Sequence, residues 1–328
     1  MFWGKGFDPA TDIPDLSGKV IMVTGGMYPS PHGALEPPPS QHLHTGNTGL
    51  GQESVLQLAK HNPQHIYLAA RTPSKAEAAI AEIKRAVPDA RVTFLELDLG
   101  SFASIKRAAD AFTSQSRRLD VLLNNAGVMA TPWGLTQDGY ELQFGTNHVG
   151  HALLTKLLLP TLLATAARPG ADVRVVNLSS EGHNMAPAGG VVLERAALER
   201  QGPWRRYGHS KLANILFTRE LARRHPAVTA VAVHPGVIIT NLYQPARDSG
   251  VLMRYGLGLF GLLSYPFLPD VPQGTRNQLW ASVASDVVSG AYYKPVGSLS
   301  KGSAYAQDQD LAERLWDWTE EEFKKHGY

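Results

Sequence analysis

The chain has 328 residues, 43% apolar and 18% charged, enough for one large core; a net charge of +2 without a long Lys or Arg run argues against a nucleic-acid binder. There is no cysteine, which removes disulfides, thiolate catalysis and cysteine-ligated metal, and the 12 histidines lack metal-site spacing. Residues 1–18 lack a signal-peptide pattern and no apolar run reaches the roughly 20 residues of a membrane span, so a cytoplasmic protein is expected.

Lys19 to Thr24 is a β-branched, mostly apolar run and reads as a buried strand of a parallel sheet. It ends at Gly25-Gly26, and a strand, glycine turn and helix together make a phosphate cradle. The cradle is interrupted. Residues 27–46 carry Pro29, Pro31, Pro37, Pro38 and Pro39 and fit neither strand nor helix. Asn47-Thr48-Gly49-Leu50-Gly51 and an apolar-periodic helix then follow, so joining Gly26 to Asn47 restores an unbroken loop. If the segment is present, Thr45-Gly46 repeats Thr24-Gly25 and a shortened loop forms from the second copy.

Ile66 to Ala70 is the second strand, ending at Arg71. An acidic residue there would hold the ribose hydroxyl of NAD, whereas an Arg accommodates the 2′-phosphate of NADP. Arg71, with Lys75 nearby, favours NADP; the bland alternative is a solvated loop cation. Ala76 to Ala86 reads as a helix, residues 92–97 as the third strand before Asp98, and Ile105 to Phe112 as a helix. Leu119 to Leu123 is the fourth strand, followed by Asn124-Asn125-Ala126-Gly127. The alternation predicts an α/β fold, a single doubly wound parallel sheet, with ligands beyond the strands' carboxyl ends. Arg71, Asp98 and Asn125 fall at such ends, though each alone is ordinary turn chemistry.

Val173 to Leu178 reads as the fifth strand, placing Ser180 just past its end, where a hydroxyl can stabilise charge on a carbonyl oxygen. Twenty-seven positions on, Tyr207 and Lys211 stand four apart on a predicted helix, one turn from each other. A phenol with a reference pKa of about 10 is tuned towards neutrality by an adjacent ammonium and can then exchange a proton with a substrate oxygen. The segment between Ser180 and Tyr207 is too long for a simple turn and is expected to shape the substrate entrance. Val228 to His234 reads as the sixth strand, Gln273 to Ala284 as a helix, Ala291 to Tyr293 as a last strand and Leu311 to Lys325 as an amphipathic end helix.

Thr24-Gly25…Gly49-Leu50-Gly51, Asn124-Asn125-Ala126-Gly127, Asn147, Ser180, Tyr207…Lys211 and Pro235-Gly236…Thr240 occur in the order of the short-chain dehydrogenase/reductase family. The chain resembles that family over nearly its whole length, in particular the retinol-dehydrogenase-like branch and fungal carbonyl-reducing members, some from secondary-metabolite pathways. The resemblance implies a Rossmann-type domain, with Tyr207 as general acid or base and Ser180 on the substrate oxygen. Lys211 would lower the Tyr207 pKa and bind the nicotinamide ribose. Asn147 would shape its helix and hold a water linked to Lys211. Gly25, Gly49, Leu50, Gly51, Arg71, Asp98 and Asn125 would line the adenosine and phosphate site, and Ile238 and Thr240 the nicotinamide end, with Tyr207 and Lys211 also touching the cofactor.

Three readings of residues 27–46 follow: a functional insertion, a tolerated extrusion, or a translated intron, the favoured one. Gly26-Met27-Tyr28 can be encoded with GTATGT, a common fungal intron start, and Thr45-Gly46 with the terminal AG. Residues 241–272, rich in apolar residues such as Leu259, Phe260 and Phe267, are expected to cover a lipophilic ketone, aldehyde or alcohol, or else to be core or a dimer contact. They also allow membrane-surface association without a span. A homodimer or homotetramer fits the resemblance, although this branch includes monomers. The competing function is a catalytically impaired binding protein that keeps the fold.

Overall fold

The structure is a computed structural model that describes residues 6–25, 49–236 and 270–328. Residues 27–46, Ile238, Thr240 and all but the last three residues of 241–272 therefore lie outside the described residues. A short helix α1 (Pro9–Asp12), capped by the Asp8 carboxylate on the Ala10 amide, precedes the sheet.

The first four strands are β1 (Val20–Thr24), β2 (His65–Ala70), β3 (Val92–Glu96) and β4 (Val121–Asn124). They continue as β5 (Arg174–Leu178), β6 (Thr229–Val233), β7 (Tyr292–Lys294) and β8 (Ser298–Ser300). Their order is β3-β2-β1-β4-β5-β6-β7-β8. Every pair is parallel except β7 with β8, where Tyr293 faces Leu299. Every residue of β1, β4 and β5 is buried, as strands covered on both faces must be. The doubly wound sheet is the expected one; the closing antiparallel strand is an addition, too short and polar to stand out in the sequence. β1 lies between β2 and β4, so the strand order reverses there and a crevice opens between the carboxyl ends of β1 and β4.

Helices α2 (Leu50–Ala59) and α3 (Pro73–Ala86) cover one face. Helix α4 (Phe102–Gln115) covers the other, together with a long helix over residues 142–166. That helix consists of α5 (Leu142–Phe144), a π-helical turn (Gly145–Val149) and α6 (Gly150–Ala166). Next come α7 (Arg195–Glu199), α8 (Pro203–Arg224), α9 (Val271–Val283) and α10 (Gln309–Lys325). The sheet thus separates two apolar cores, one shared with α2, α3 and α9 and one with α4, α6, α8 and α10.

Among the described residues, Leu142–Ala166 is the one helix that reaches the length and apolarity of a membrane span by composition alone. More than half of its most apolar window, 56%, is buried inside the protein. Leu153, Leu154, Leu158 and Leu162 are fully enclosed, so core packing accounts for that apolarity.

A buried ion pair aligns the two helices that matter most for the site. Glu141 caps α5 through the Phe144 amide and binds Arg206, whose Nε lies 3.1 Å from its carboxylate. Burial raises the Glu141 pKa against the pull of that guanidinium. Arg206 also donates to the Thr131 carbonyl at 3.0 Å, so none of this buried charge is left without partners.

Candidate active site

Helix α8 starts at Pro203, so Tyr207 lies in its second turn. Tyr207 is 5% exposed and packs on Met129, Ala130 and Trp204. Lys211 follows one turn later with its Nζ 5.8 Å from the Tyr207 ring centre, the arrangement the spacing predicts. Its Nζ donates to the Leu178 carbonyl at 2.9 Å, and burial lowers its pKa to about 8. The segment after β5 meets this helix at close quarters. Ser179 Oγ donates to the Lys211 carbonyl at 2.8 Å, and Ser180 Oγ caps a 3-10 turn (Glu181–Met185) through the Gly182 amide at 3.0 Å.

Gly182 stands between Ser180 and Tyr207. A Cβ there would lie 2.7 Å from Tyr207 Cε1 and 3.3 Å from Ser180 Oγ. The serine hydroxyl and the phenol ring therefore flank the same small residue. The rest of the long segment before α8 is folded back, with the Gly189 amide on Tyr305 Oη and the Val192 amide on His209 Nε2. Glu181 accepts from Tyr292 Oη at 3.1 Å and Lys294 Nζ at 3.0 Å, and the Lys294 contact holds its carboxyl low despite burial, the largest opposing cause.

Asn147 sits in the π-helical turn. Its Oδ1 accepts from the Val128 amide at 2.7 Å, and its Nδ2 faces the Val128 carbonyl and Ser210 Oγ, both at 2.9 Å. A Cβ on Gly127 would come within 3.2 Å of Asn147 Oδ1 and 3.5 Å of Lys211 Nζ, so these two side chains border one space, which the absence of a side chain at Gly127 keeps open.

At the phosphate end, α2 starts from Gly49 with no side-chain cap, leaving its first amides to a ligand. A Cβ at Gly51 would lie 2.7 Å from Asn125 Nδ2 and 3.3 Å from Gly25 Cα. The chain therefore leaves Gly25 and returns at Gly51 in one place, as a tight dinucleotide turn requires. Leu50 opens α2, half-buried, and Asp98 Oδ1 accepts from the Gly100 amide at 2.9 Å beyond β3. Arg71 is exposed just past β2 and makes no ion pair among the described residues. Asn125 is committed inward. Its Nδ2 donates to the Thr24 carbonyl at 2.9 Å, and its Oδ1 accepts from Gln278 of α9 at 3.1 Å.

Gln278, Ser210, Glu141 and His151 also bond to the candidate residues or their helices, and none of them is marked as such by its residue type in the sequence. Ser210 follows from the spacing of three from Tyr207, and His151 from the spacing of four from Asn147; Gln278 is 153 residues from Asn125 and no local signal points to it.

Residues 43–250 match the family model described as short chain dehydrogenase. The chain belongs to the short-chain dehydrogenase/reductase family. A short-chain dehydrogenase/reductase of Aspergillus calidoustus, drtF, is 37% identical, with 95% of this chain and 96% of that protein covered. Retinol dehydrogenase 12 of Mus musculus is also 37% identical, covering 92% and 85%. A solved structure from Mycobacterium paratuberculosis superposes with a TM-score of 0.68 at 30% identity, over 98% of both chains. As a member of this family the chain is an oxidoreductase that works with a nicotinamide cofactor on alcohol and carbonyl groups. The open space at Gly127, the uncapped start of α2 and the close approach of Gly25 and Gly51 fit such a cofactor.

Proposed function

We propose that the chain is an NADP(H)-dependent oxidoreductase that interconverts a lipophilic ketone or aldehyde and its alcohol, with Tyr207 as general acid and base. The observation that carries this reading is the convergence of Ser180 and Tyr207 around Gly182, with the Lys211 ammonium 5.8 Å from the phenol ring. The cofactor, when bound, supplies or accepts the hydride. Tyr207 gives the substrate oxygen its proton in reduction and removes it in oxidation. The Lys211 ammonium favours the ionised phenol, and Ser180 donates to the substrate oxygen as charge develops there. Asn147 shapes its helix and holds a water linked to Lys211 in the space that Gly127 leaves open.

Arg71 supports NADP over NAD, as a cation exposed beyond β2 where the adenosine ribose of a dinucleotide would lie. The remaining assignments rest on the sequence: a single domain, an insertion at 27–46, a lid over 241–272 with Ile238 and Thr240 at the nicotinamide, and a cytoplasmic location with contact to membrane surfaces. The resemblance to fungal members points to secondary metabolism. The apolar 241–272 stretch makes the substrate lipophilic.

The second reading, a binding protein with impaired catalysis, draws on the interrupted glycine loop alone. Titrating NADPH fluorescence against the full chain and a form lacking residues 27–46 separates the two. Tight binding by either form is expected for an enzyme, and no binding of NADPH or NADH by both would sink the enzyme reading. Tyr207→Phe is expected to abolish turnover with NADPH affinity nearly unchanged. Arg71→Ala is expected to weaken NADPH about tenfold, the effect of one charged hydrogen bond, and to leave NADH unaffected. A preference for NADH in the unmodified chain would overturn the assignment of Arg71.

A further inference from the structure

Thr24 is fully buried at the end of β1. Its Oγ1 accepts the amide of Ala126 at 3.0 Å and that of Asn125 at 2.9 Å, the latter shared with the Leu123 carbonyl at 3.0 Å. Two accepted bonds occupy both lone pairs, so the hydroxyl proton points elsewhere. Two acceptors are in reach, His151 Nε2 at 2.9 Å and the Leu123 carbonyl at 3.4 Å, and the nearer is the imidazole. On the other side of the ring, Nδ1 lies 3.1 Å from the Asn147 carbonyl, which only accepts. The proton is therefore on Nδ1, and Nε2 is free to accept.

The bonds resume on the side chain of Asn147, joined to its carbonyl through the covalent frame of that residue. Asn147 Nδ2 donates to Ser210 Oγ at 2.9 Å, and Ser210 Oγ donates to the Tyr207 carbonyl at 2.8 Å. From the amides of Asn125 and Ala126 through Thr24, His151, Asn147 and Ser210 to Tyr207, every donor faces an acceptor. All of these side chains are buried. A leucine would fill the position of His151 without the desolvation cost of two polar nitrogens, so packing alone does not account for the imidazole.

We infer that His151 is a positioning residue for the oxidoreductase reaction, holding the π-helical turn and Asn147 in register with the strand end under the phosphate turn and, through Ser210, with Tyr207. The inference rests on the reading of Tyr207 as proton donor. Burial keeps the imidazole neutral, with a pKa lowered to about 4, so the bonding pattern persists at working pH. The two ends of the ring are not equivalent. If His151 is lost, Thr24 can turn its hydroxyl to the Leu123 carbonyl, whereas the Asn147 carbonyl loses the imidazole donor. The cost therefore falls on turnover and little on cofactor affinity.

The test uses the full chain. Long-range ¹⁵N–¹H spectra of the unmodified protein should give His151 as the Nδ1–H tautomer from pH 8 to 6; an Nε2–H tautomer or an imidazolium would overturn the bonding pattern and the inference with it. His151→Leu should lower kcat about tenfold, a change of about 1.4 kcal/mol in barrier. NADPH Kd and the carbonyl KM should stay within about twofold, and amide exchange should speed up across Gly145–Val149. His151→Gln, which offers both a donor and an acceptor, should restore most of the loss. Ser210→Ala should lower kcat similarly, and the double variant His151→Leu/Ser210→Ala should fall little further, because both cut one connection. Unchanged kcat in His151→Leu, or losses that multiply in the double variant, would refute the role. If His151→Leu does not fold, the tautomer, His151→Gln and Ser210→Ala decide the matter. Tyr207→Phe, measured alongside, separates the two proposals. Activity lost in it but kept in His151→Leu defeats only the role of His151, whereas activity kept in Tyr207→Phe defeats the proton-donor reading, and the tautomer then judges the bonding pattern alone.

Discussion

Tyr207 is fixed by what surrounds its ring. Met129, Ala130 and Trp204 pack against it, and Gly182 faces Cε1 and Cδ1 so closely that a Cβ would stand 2.7 and 3.0 Å away. Gly182→Ala must therefore move either the ring or the 3-10 turn that Ser180 caps, and both moves separate the serine hydroxyl from the phenol. A misplacement of about 1 Å in such a pair costs on the order of 100-fold in rate. Gly182→Ala is expected to lose about that much kcat with NADPH affinity within about twofold, measured by steady-state kinetics and fluorescence titration. A variant with wild-type kcat would mean that the ring position is not what limits the proton transfer. The grouping of Tyr207, Lys211, Ser180 and Asn147 as candidates was legible because it follows order along the chain and strand ends. Gly182 was not, since its importance lies in a contact with a ring 25 residues later.

The element that contributes to the site without advertising itself is the long helix from Leu142 to Ala166. Its apolar run reads as helix, but nothing in the residue types marks the π-helical turn at Gly145–Val149, where Gly150 still bonds back to Gly145. That turn lets Asn147 reach Val128, Ser210 and His151 together. The strands were legible to within a residue or two because buried parallel strands are short runs of Val, Ile and Leu. By contrast, β8, with one apolar residue in three, is defined only by its pairing with β7. Gly150, directly after the turn, explains how closely α6 can approach the loop before α4: a Cβ there would lie 2.3 Å from the Leu99 carbonyl oxygen. Gly150→Ala has backbone on both sides of the clash and no flexible side chain to yield. It is expected to cost about 3 kcal/mol of stability, the upper end for overpacking, read as a lowered denaturation midpoint. A loss under about 0.5 kcal/mol would mean that α6 can slide away from Leu99 freely.

At the scale of the molecule, the same burial that tunes the site makes the fold sensitive to acid. His148 and His209 are held down to a pKa of about 3, and His151 and His234 to about 4, in each case chiefly by burial. Above the unfolded value of about 6.5 neither the folded nor the unfolded chain binds these protons, so the full stability is present. As pH falls below about 6.5 the unfolded chain takes up protons that the folded one refuses. Each such histidine then lowers stability by about 1.4 kcal/mol per pH unit until its folded pKa is reached, roughly 2 kcal/mol by pH 5. Four of them together approach the whole stability of an ordinary domain, so unfolding by about pH 5 is expected. His148 offers the cleanest check. Its ring is stacked 5.2 Å from Phe144 and edge-on to Phe217 at 5.6 Å, and its polar contact among the described residues is a long 3.5 Å approach to Thr319. His148→Phe keeps the aromatic packing and removes one titrating group. Urea unfolding at pH 7 and pH 5 should give a stability drop smaller by about 2 kcal/mol in the variant than in the unmodified chain. An equal drop in both would mean that His148 is protonated in the folded state and that its burial does not drive the acid sensitivity.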